Sequence, residues 1–186
     1  MIVIVGASAS GKTELAKLLY KNYGYKKCIT TTTRVKRTHE IQDIDYHFIS
    51  KMNFLDLQAK DAFVEVTQYQ ENYYGMQKKD IVLNGVVIVD PAGANALINK
   101  VDQEAFIVYV ETSEALRKRR MLDRGDETKL IEKRLLNDSQ IFHKEVIKRI
   151  NLFIENENNC LIELASQIHS AYQAYLKTHY LNNEDH

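Results

Sequence analysis

The sequence predicts an α/β domain in which a mostly parallel β-sheet is covered by helices on both faces. Strand-like and helix-like segments alternate along the chain, which is the pattern of βαβ units. Three apolar runs are also continuous and rich in β-branched residues, as expected of strands buried on both faces. A length of 186 residues is typical of one domain, so we expect a single domain over residues 1–186.

The three apolar runs predict strands over residues 2–5, 86–89 and 106–110. Apolar residues at helical spacing predict helices over residues 13–22, 92–100 and 113–120. A longer helix is predicted from about residue 128, because an apolar stripe continues from Ile131 to Phe153. A final helix is expected around residues 168–176, followed by a polar, frayed tail over residues 182–186.

Composition limits the class of protein. Basic and acidic side chains number 25 each, and a pI of about 7.0 argues against the broad basic surface of a nucleic-acid binder. No apolar run reaches the roughly 20 residues that span a bilayer, and the apolar start is too short for a signal peptide. Cys28 and Cys160 are interpreted as reduced core thiols. We therefore expect a soluble, cytoplasmic protein with no nucleic-acid or membrane partner.

Residues 6–13 form the strongest motif, because GASASGKT matches G-x-x-x-x-G-K-[ST] between a predicted strand and helix. Its residues are Gly6, Ala7, Ser8, Ala9, Ser10, Gly11, Lys12 and Thr13. The glycines allow backbone N–H groups to turn towards phosphate oxygens, and the helix N-terminus faces the same anion. Lys12 would bring positive charge to the β- and γ-phosphates, and Thr13 would offer a hydroxyl to Mg²⁺. The flanking strand and helix favour binding of a nucleoside triphosphate over an accidental match.

A β-rich segment over about residues 34–75 interrupts the alternation of strands and helices, with one helix predicted near residues 53–59. Arg34 and Arg37 lie three residues apart and, with the hydroxyls of Tyr46 and Tyr74, would suit a phosphate monoester. We interpret these four residues as a phosphate clamp. The alternative is that they are solvated surface arginines and core tyrosines.

Four motifs follow one another in and around this segment. They are Thr31-Thr32-Thr33-Arg34-x-x-Arg37, Asp45-Tyr46-His47-Phe48, Phe63-Val64-Glu65 and Asn72-Tyr73-Tyr74-Gly75. In this order, with the phosphate loop and later arginines, they resemble the guanylate kinase family over about residues 1–136. The resemblance implies a P-loop NTPase-type three-layer αβα fold, with GMP as acceptor and ATP with Mg²⁺ as donor.

The same resemblance implies a division of the single domain. The core would comprise residues 1–32 and 77–186, the GMP-binding insertion residues 33–76, and the lid about residues 119–128. The resemblance also places Thr30 beside the guanine O6 atom. Tyr73 is expected to serve packing rather than binding.

Two carboxylates are candidates for the acceptor site. Glu65 lies on an alternating strand, where its carboxylate could accept N1–H and the N2 amino group of guanine. Taken alone, it could equally be an ordinary exposed glutamate. Asp90 follows an apolar strand and could orient GMP-side groups or a water on Mg²⁺. It could instead cap the helix that Pro91 begins.

The chain departs from the family pattern at two places. Met76 follows the NYYG motif where the family usually has a serine or threonine, so we expect weaker GMP binding. The segment Ile88-Val89-Asp90-Pro91-Ala92-Gly93 replaces the usual Asp-x-Asp-x-Gln-Gly, so the first acid and the glutamine are missing.

A run of basic residues at 117–120 leads into a turn around Gly125. Such a run is usually a solvated helix face. Its position instead resembles the lid of nucleoside monophosphate kinases, where cations stabilise the charge of the transferring phosphoryl group. We predict lid roles for Arg120, Arg124 and Arg134, and we predict that these three act in catalysis together with Lys12 and Arg34.

The sequence thus favours an ATP:GMP phosphotransferase. Two alternatives remain. One is another small-molecule kinase of this fold, such as a ribose-phosphate kinase, which the residues at Met76 and Ile88 permit. The other is a guanylate-kinase-like interaction module that binds partner peptides, for which a degraded phosphate loop would be expected.

Overall fold

A computed structural model of the chain describes residues 1–38, 40–69, 71–157 and 160–181. The strands within these residues are β1 (Ile2–Val5), β2 (Lys26–Lys27), β3 (Thr31–Thr32), β4 (His47–Phe48), β5 (Phe63–Tyr69), β6 (Asn72–Gln77), β7 (Gly85–Ile88), β8 (Phe106–Glu111) and β9 (Leu152–Glu155). The α-helices are α1 (Lys12–Tyr23), α2 (Lys51–Ala59), α3 (Pro91–Val101), α4 (Glu114–Asp123), α5 (Thr128–Ile141) and α6 (Leu161–Leu181). The predicted tail over residues 182–186 lies outside the described residues.

The central sheet has the order β2-β7-β1-β8-β9, and every neighbouring pair in it is parallel. Alternate residues of β1 enter different cores: Ile2 and Ile4 pack with α1 and α6, whereas Val3 and Val5 pack with α3. All four side chains are buried, which explains why the run is apolar without alternation. The predicted α/β class and the three predicted strands are confirmed.

The prediction of one long helix through residue 153 is wrong. α5 ends at Ile141, a short 3₁₀ turn follows over Lys144–Val146, and β9 then pairs with β8 at the sheet edge. The apolar stripe serves two different cores, because Ile131 packs beside α4 whereas Ile150 packs against the core beneath α3. A single straight helix could not reach both cores.

A smaller sheet with the order β4-β3-β6-β5 stands beside the carboxyl ends of the central strands. β5 and β6 form an antiparallel pair, and α2 covers them through a stacked pair of rings, Phe54 on Phe63, with centroids 4.5 Å apart. The ring of Tyr73 packs on Phe54 at 5.5 Å, which is the packing role expected of it. Thr31 and Thr32 belong to this sheet, just before the expected start of the insertion.

The two cysteines and the helices can also be compared with the predictions. Cys28 is buried, but Cys160 is exposed immediately before α6, so only the first is a core thiol. Among the described helices, none is both long and apolar enough to cross a membrane.

Candidate active site

The phosphate loop runs from β1 into α1, and two of its positions require glycine. A Cβ at Gly6 would lie 2.4 Å from the Val110 carbonyl oxygen. Gly11 has φ +97°, and a Cβ there would lie 2.2 Å from Nδ2 of Asn156. The same amide nitrogen donates to the Ser10 carbonyl at 2.8 Å, so the loop is held closely from the β9 side. The glycines that the motif fixes are therefore required by close packing as well as by backbone conformation.

Lys12 begins α1, and its Nζ atom donates to the Ala7 carbonyl at 2.7 Å. Burial lowers the pKa of Lys12 to about 8, while the negative charge of Asp138 opposes this shift and Arg117 adds to it. A bound anion would raise the pKa again, because it stabilises the charged ammonium. Lys12 is thus a partly buried cation at the end of the loop that the motif predicts to bind phosphate.

Two cavities meet at Lys12. One, of about 280 Å³, extends over the phosphate loop and is lined by Thr13, Arg120 and Arg124. The other, of about 200 Å³, lies between the central and smaller sheets. It brings together five predicted acceptor residues: Thr30, Tyr46, Glu65, Tyr74 and Asp90. The arrangement offers two adjoining compartments with one cation between them.

Arg34 lies against the aromatic side chains at the edge of the second cavity. Its guanidinium carbon lies 5.5 Å from the centroid of the Tyr46 ring, and Tyr46 meets Tyr74 edge to face at 6.4 Å. The clamp also contains a carboxylate that the sequence reasoning missed: Glu40, 2.7 Å from Arg34 Nη2 and 3.8 Å from Arg37 Nη1. Glu40 therefore holds both guanidinium groups together in this structure.

Glu65 enters the second cavity from β5. Its Oε2 atom is shielded from solvent and has no hydrogen-bond partner among the residues that the structure describes. Burial raises the pKa of Glu65 to about 8, the nearby charge of Asp90 adds to the shift, and a hydrogen bond with the Met76 backbone opposes it. An unpartnered, shielded carboxyl oxygen is a group that a ligand's N–H donors can satisfy.

Asp90 caps α3, because its Oδ1 atom accepts a hydrogen bond of 2.8 Å from the Gly93 N–H. Pro91 occupies the first position of that helix, as the capping interpretation required. Asp90 also lines the second cavity, so the cap leaves the carboxylate beside that cavity. Both interpretations of Asp90 fit the geometry.

The two departures from the family pattern have different surroundings. Met76 is fully buried in the core between the central sheet and α3, together with Ala94 and Leu97. Its side chain fills space in that core, so a hydroxyl at this position would replace core packing. Ile88, in contrast, lines the second cavity and makes that wall apolar.

A turn within the predicted lid segment joins α4 to α5. Arg124 and Arg134 both pair with Asp126, and the Arg134 Nη1 to Oδ2 distance is 2.6 Å. Burial lowers the pKa of Arg37, and the positive charges of Arg34, Arg124 and Arg134 add to this effect. Arg124 and Arg134 therefore lie close enough to Arg37 for their charges to affect it.

Arg120 lies on the last turn of α4 and contacts the phosphate loop directly. Its guanidinium donates to the Ala9 carbonyl at 3.3 Å and to the Asn156 carbonyl at 3.2 Å. Arg120 therefore lines the cavity over the phosphate loop.

One buried pair close to the loop was missed by the sequence reasoning. Arg117 and Asp138 form an ion pair at 3.0 Å with almost no solvent exposure. The basic run that contains Arg117 was visible in the sequence, but nothing local to it indicated a partner on α5. A lone Asp in the polar part of a helix gives no such signal either.

Comparison with known proteins decides the family. A sequence model described as guanylate kinase matches residues 1–174. The chain belongs to the guanylate kinase family. Among guanylate kinases, it is 30% identical over 165 residues to that of Clostridium acetobutylicum, covering 84% of this chain and 78% of the relative. It is 32% identical over 168 residues to that of Clostridioides difficile, covering 85% and 80%.

A solved structure agrees with this family at the level of the fold. The guanylate kinase of Anaplasma phagocytophilum aligns with a TM-score of 0.68 and 22% identity, over 93% of this chain and 85% of the other. Guanylate kinases are nucleoside monophosphate kinases, so family membership makes this chain an enzyme of the transferase class.

Proposed function

We propose that this chain transfers the γ-phosphoryl group of ATP to GMP, giving ADP and GDP by direct in-line transfer. The observation that carries the proposal is the meeting of two cavities at Lys12, one over the phosphate loop and one containing Glu65. This geometry would place a donor and an acceptor phosphate on opposite sides of one ammonium group. Holding two reactants in such an alignment supplies much of the catalysis in phosphoryl transfer.

Guanine would bind in the second cavity. The Glu65 carboxylate would accept N1–H and the N2 amino group, which satisfies the oxygen that has no partner among the described residues. Adenine presents an acceptor at N1 and would leave that carboxylate unpaired. Thr30 lies in the same cavity and supports the expected contact with O6.

The GMP phosphate would bind between the clamp and the lid. Arg34 and Arg37 would exchange their present partner Glu40 for the phosphate, with the hydroxyls of Tyr46 and Tyr74 as further donors. Arg124 and Arg134 would similarly exchange Asp126 for the charge that builds up during transfer. The acceptor phosphate is itself a competent nucleophile near neutral pH, so no general base is needed.

The residues also fit Mg²⁺ bound with ATP. Thr13 lines the donor cavity and offers a hydroxyl oxygen, and the Asp90 carboxylate is a candidate for contact through water. When bound, Mg²⁺ would neutralise charge on the β- and γ-phosphate oxygens. We assign the residues of the loop from Gly6 to Thr13 to ATP binding on the same grounds.

The domain boundaries follow the same proposal. We propose that residues 33–76 form the acceptor insertion, that residues about 119–128 form the lid, and that the remainder forms the core. The smaller sheet supports this division, although its first strand β3 begins at Thr31.

A coupled assay of ADP formation tests the proposed function. The purified chain is given MgATP with GMP, AMP, CMP or UMP in turn, and ribose 5-phosphate serves as an acceptor that lacks a base. GMP should be strongly preferred to AMP, because N1 of adenine offers no donor to the ionised Glu65 carboxylate. Equal turnover with AMP, or turnover with ribose 5-phosphate alone, would contradict the proposal.

A further inference from the structure

Asp138 lies on α5, its side chain has no solvent exposure, and three donors from the described part of the chain reach its carboxylate. The Ser8 backbone N–H donates to Oδ2 at 2.8 Å, Arg117 Nη1 donates to the same oxygen at 3.0 Å, and the Tyr69 hydroxyl donates to Oδ1 at 3.2 Å. The three donors come from the phosphate loop, from α4 and from the insertion strand β5. One buried carboxylate therefore joins three parts of the molecule that the reaction requires to act together.

The ion pair contacts both backbone polar groups of Ser8. Asp138 accepts from the Ser8 N–H, while Arg117 Nη1 lies 3.4 Å from the Ser8 carbonyl oxygen. Ser8 is the third residue of the phosphate loop, so fixing its peptide restricts the backbone that would receive the donor phosphates. Lys12 is affected as well, because the charge of Asp138 raises its pKa against the effect of burial.

Tyr69 is the only one of these three donors that belongs to the insertion. It ends β5, it lines the acceptor cavity, and its hydroxyl lies 3.5 Å from Ser8 Oγ as well as 3.2 Å from Asp138. Burial raises the pKa of Tyr69, so its hydroxyl keeps its proton and donates at neutral pH. Movement of the insertion relative to the phosphate loop would break this contact.

We propose that Asp138 is a positioning residue and that its bond with Tyr69 couples the acceptor site to the donor site. GMP bound in the cavity holds the insertion against the core and thus keeps Tyr69 on Asp138. Asp138 then fixes the Ser8 peptide in the conformation that binds MgATP. Each nucleotide should therefore tighten the binding of the other, because linkage is reciprocal. This inference rests on the proposed function for the identity of the two ligands.

The test is the substitution Tyr69→Phe, which removes one hydroxyl and keeps the ring. Calorimetry measures the Kd of a non-hydrolysable ATP analogue with Mg²⁺, both without GMP and with saturating GMP. In the wild type, GMP should tighten the analogue by about tenfold, within the range usual for coupled sites. Tyr69→Phe should reduce that ratio to about twofold or less and lower kcat, since a charge-assisted hydrogen bond is lost.

Tyr175→Phe is the matched control. It removes a phenol hydroxyl that donates to the Gln103 carbonyl at 2.9 Å, on α6 and away from both cavities. The control should keep the wild-type ratio and kcat. A merely structural role for Tyr69 would lower the melting temperature without changing the ratio, so thermal unfolding is measured for all three proteins.

The outcomes separate the two proposals. If the wild type phosphorylates GMP and Tyr69→Phe keeps the full coupling ratio, the coupling role is overturned and the proposed function stands. If the wild type shows no coupling, the inference fails in the same way. If the wild type neither binds nor phosphorylates GMP, the proposed function fails, and the inference that rests on it fails too.

Discussion

The raised pKa of Glu65 predicts that GMP binding depends on pH. Guanine needs the ionised carboxylate, because both of its facing groups are donors. The pKa of Glu65 in the folded chain is about 8, so the group is mostly protonated at neutral pH. GMP must therefore displace a proton from Glu65 when it binds below pH 8, and its affinity should rise as the pH rises.

The magnitude follows from the pKa. With a pKa of about 8, roughly a tenth of the molecules carry the ionised carboxylate at pH 7. Apparent GMP affinity at pH 7 should then be about tenfold below its high-pH plateau, and binding should release about 0.9 proton. Between pH 6 and pH 7 the contribution of Glu65 is about tenfold per pH unit, and it levels off above the pKa.

Calorimetry measures this directly. GMP is titrated into the protein from pH 6 to pH 8.5, in pairs of buffers with different ionisation enthalpies, and the difference in heat gives the number of protons released. Glu65→Gln is the matched control, because it keeps the size of the side chain and cannot ionise. The control also retains the titration of the GMP phosphate and of Lys12, whose pKa is about 8, so subtraction isolates Glu65.

A wild-type GMP affinity that changes with pH no more than that of Glu65→Gln, with no extra proton release, would refute this role of Glu65. That result would mean that Glu65 is already ionised in the free protein or does not face the base. An affinity that falls as the pH rises, relative to the control, would reverse the assigned contact.

Three further substitutions follow from the site. Lys12→Ala should lower kcat by about 100-fold or more in a steady-state assay, since it removes a cation from developing phosphate charge, whereas the exposed Lys177→Ala should not. Arg34→Ala should raise the KM for GMP by about tenfold to 100-fold and leave that for ATP nearly unchanged; an equal loss for both nucleotides would place the clamp on the wrong substrate. Met76→Ser should cost about 2–5 kcal/mol in chemical denaturation, because it empties core volume, and it should not tighten GMP binding; tighter binding at unchanged stability would contradict the core position of Met76.

Those parts of the site that depend on local sequence could be predicted. The phosphate loop is one short segment, and the motif itself specifies its two glycines. Glu65 was recognisable only through the motifs around it. An alternating pattern predicts a strand, but it does not show which residues a side chain on that strand faces. The place of Glu65 beside Thr30 and Tyr74 in one cavity agrees with the expectation from the motifs.

The partners of the charged residues could not be predicted, because they are distant in the chain or lack a pattern. Asp138 meets Ser8 across 130 positions of sequence, and no spacing rule connects them. Glu40 lies near Arg34 and Arg37 in sequence, but a single carboxylate in a loop has no periodicity to mark it. The strand β9 was missed for a related reason, since its apolar residues continue the spacing of α5 while its hydrogen bonds are made to β8.

The most direct test of the central claim follows the phosphorus atoms themselves. The protein is incubated with MgATP and GMP, and the mixture is followed by ³¹P NMR, with Lys12→Ala as the inactive comparison. The account predicts equal formation of ADP and GDP, with the signal of the ATP γ-phosphate replaced by that of the GDP β-phosphate and no inorganic phosphate released. Loss of ATP to inorganic phosphate without GDP, or GDP formation at the same rate in Lys12→Ala, would contradict it.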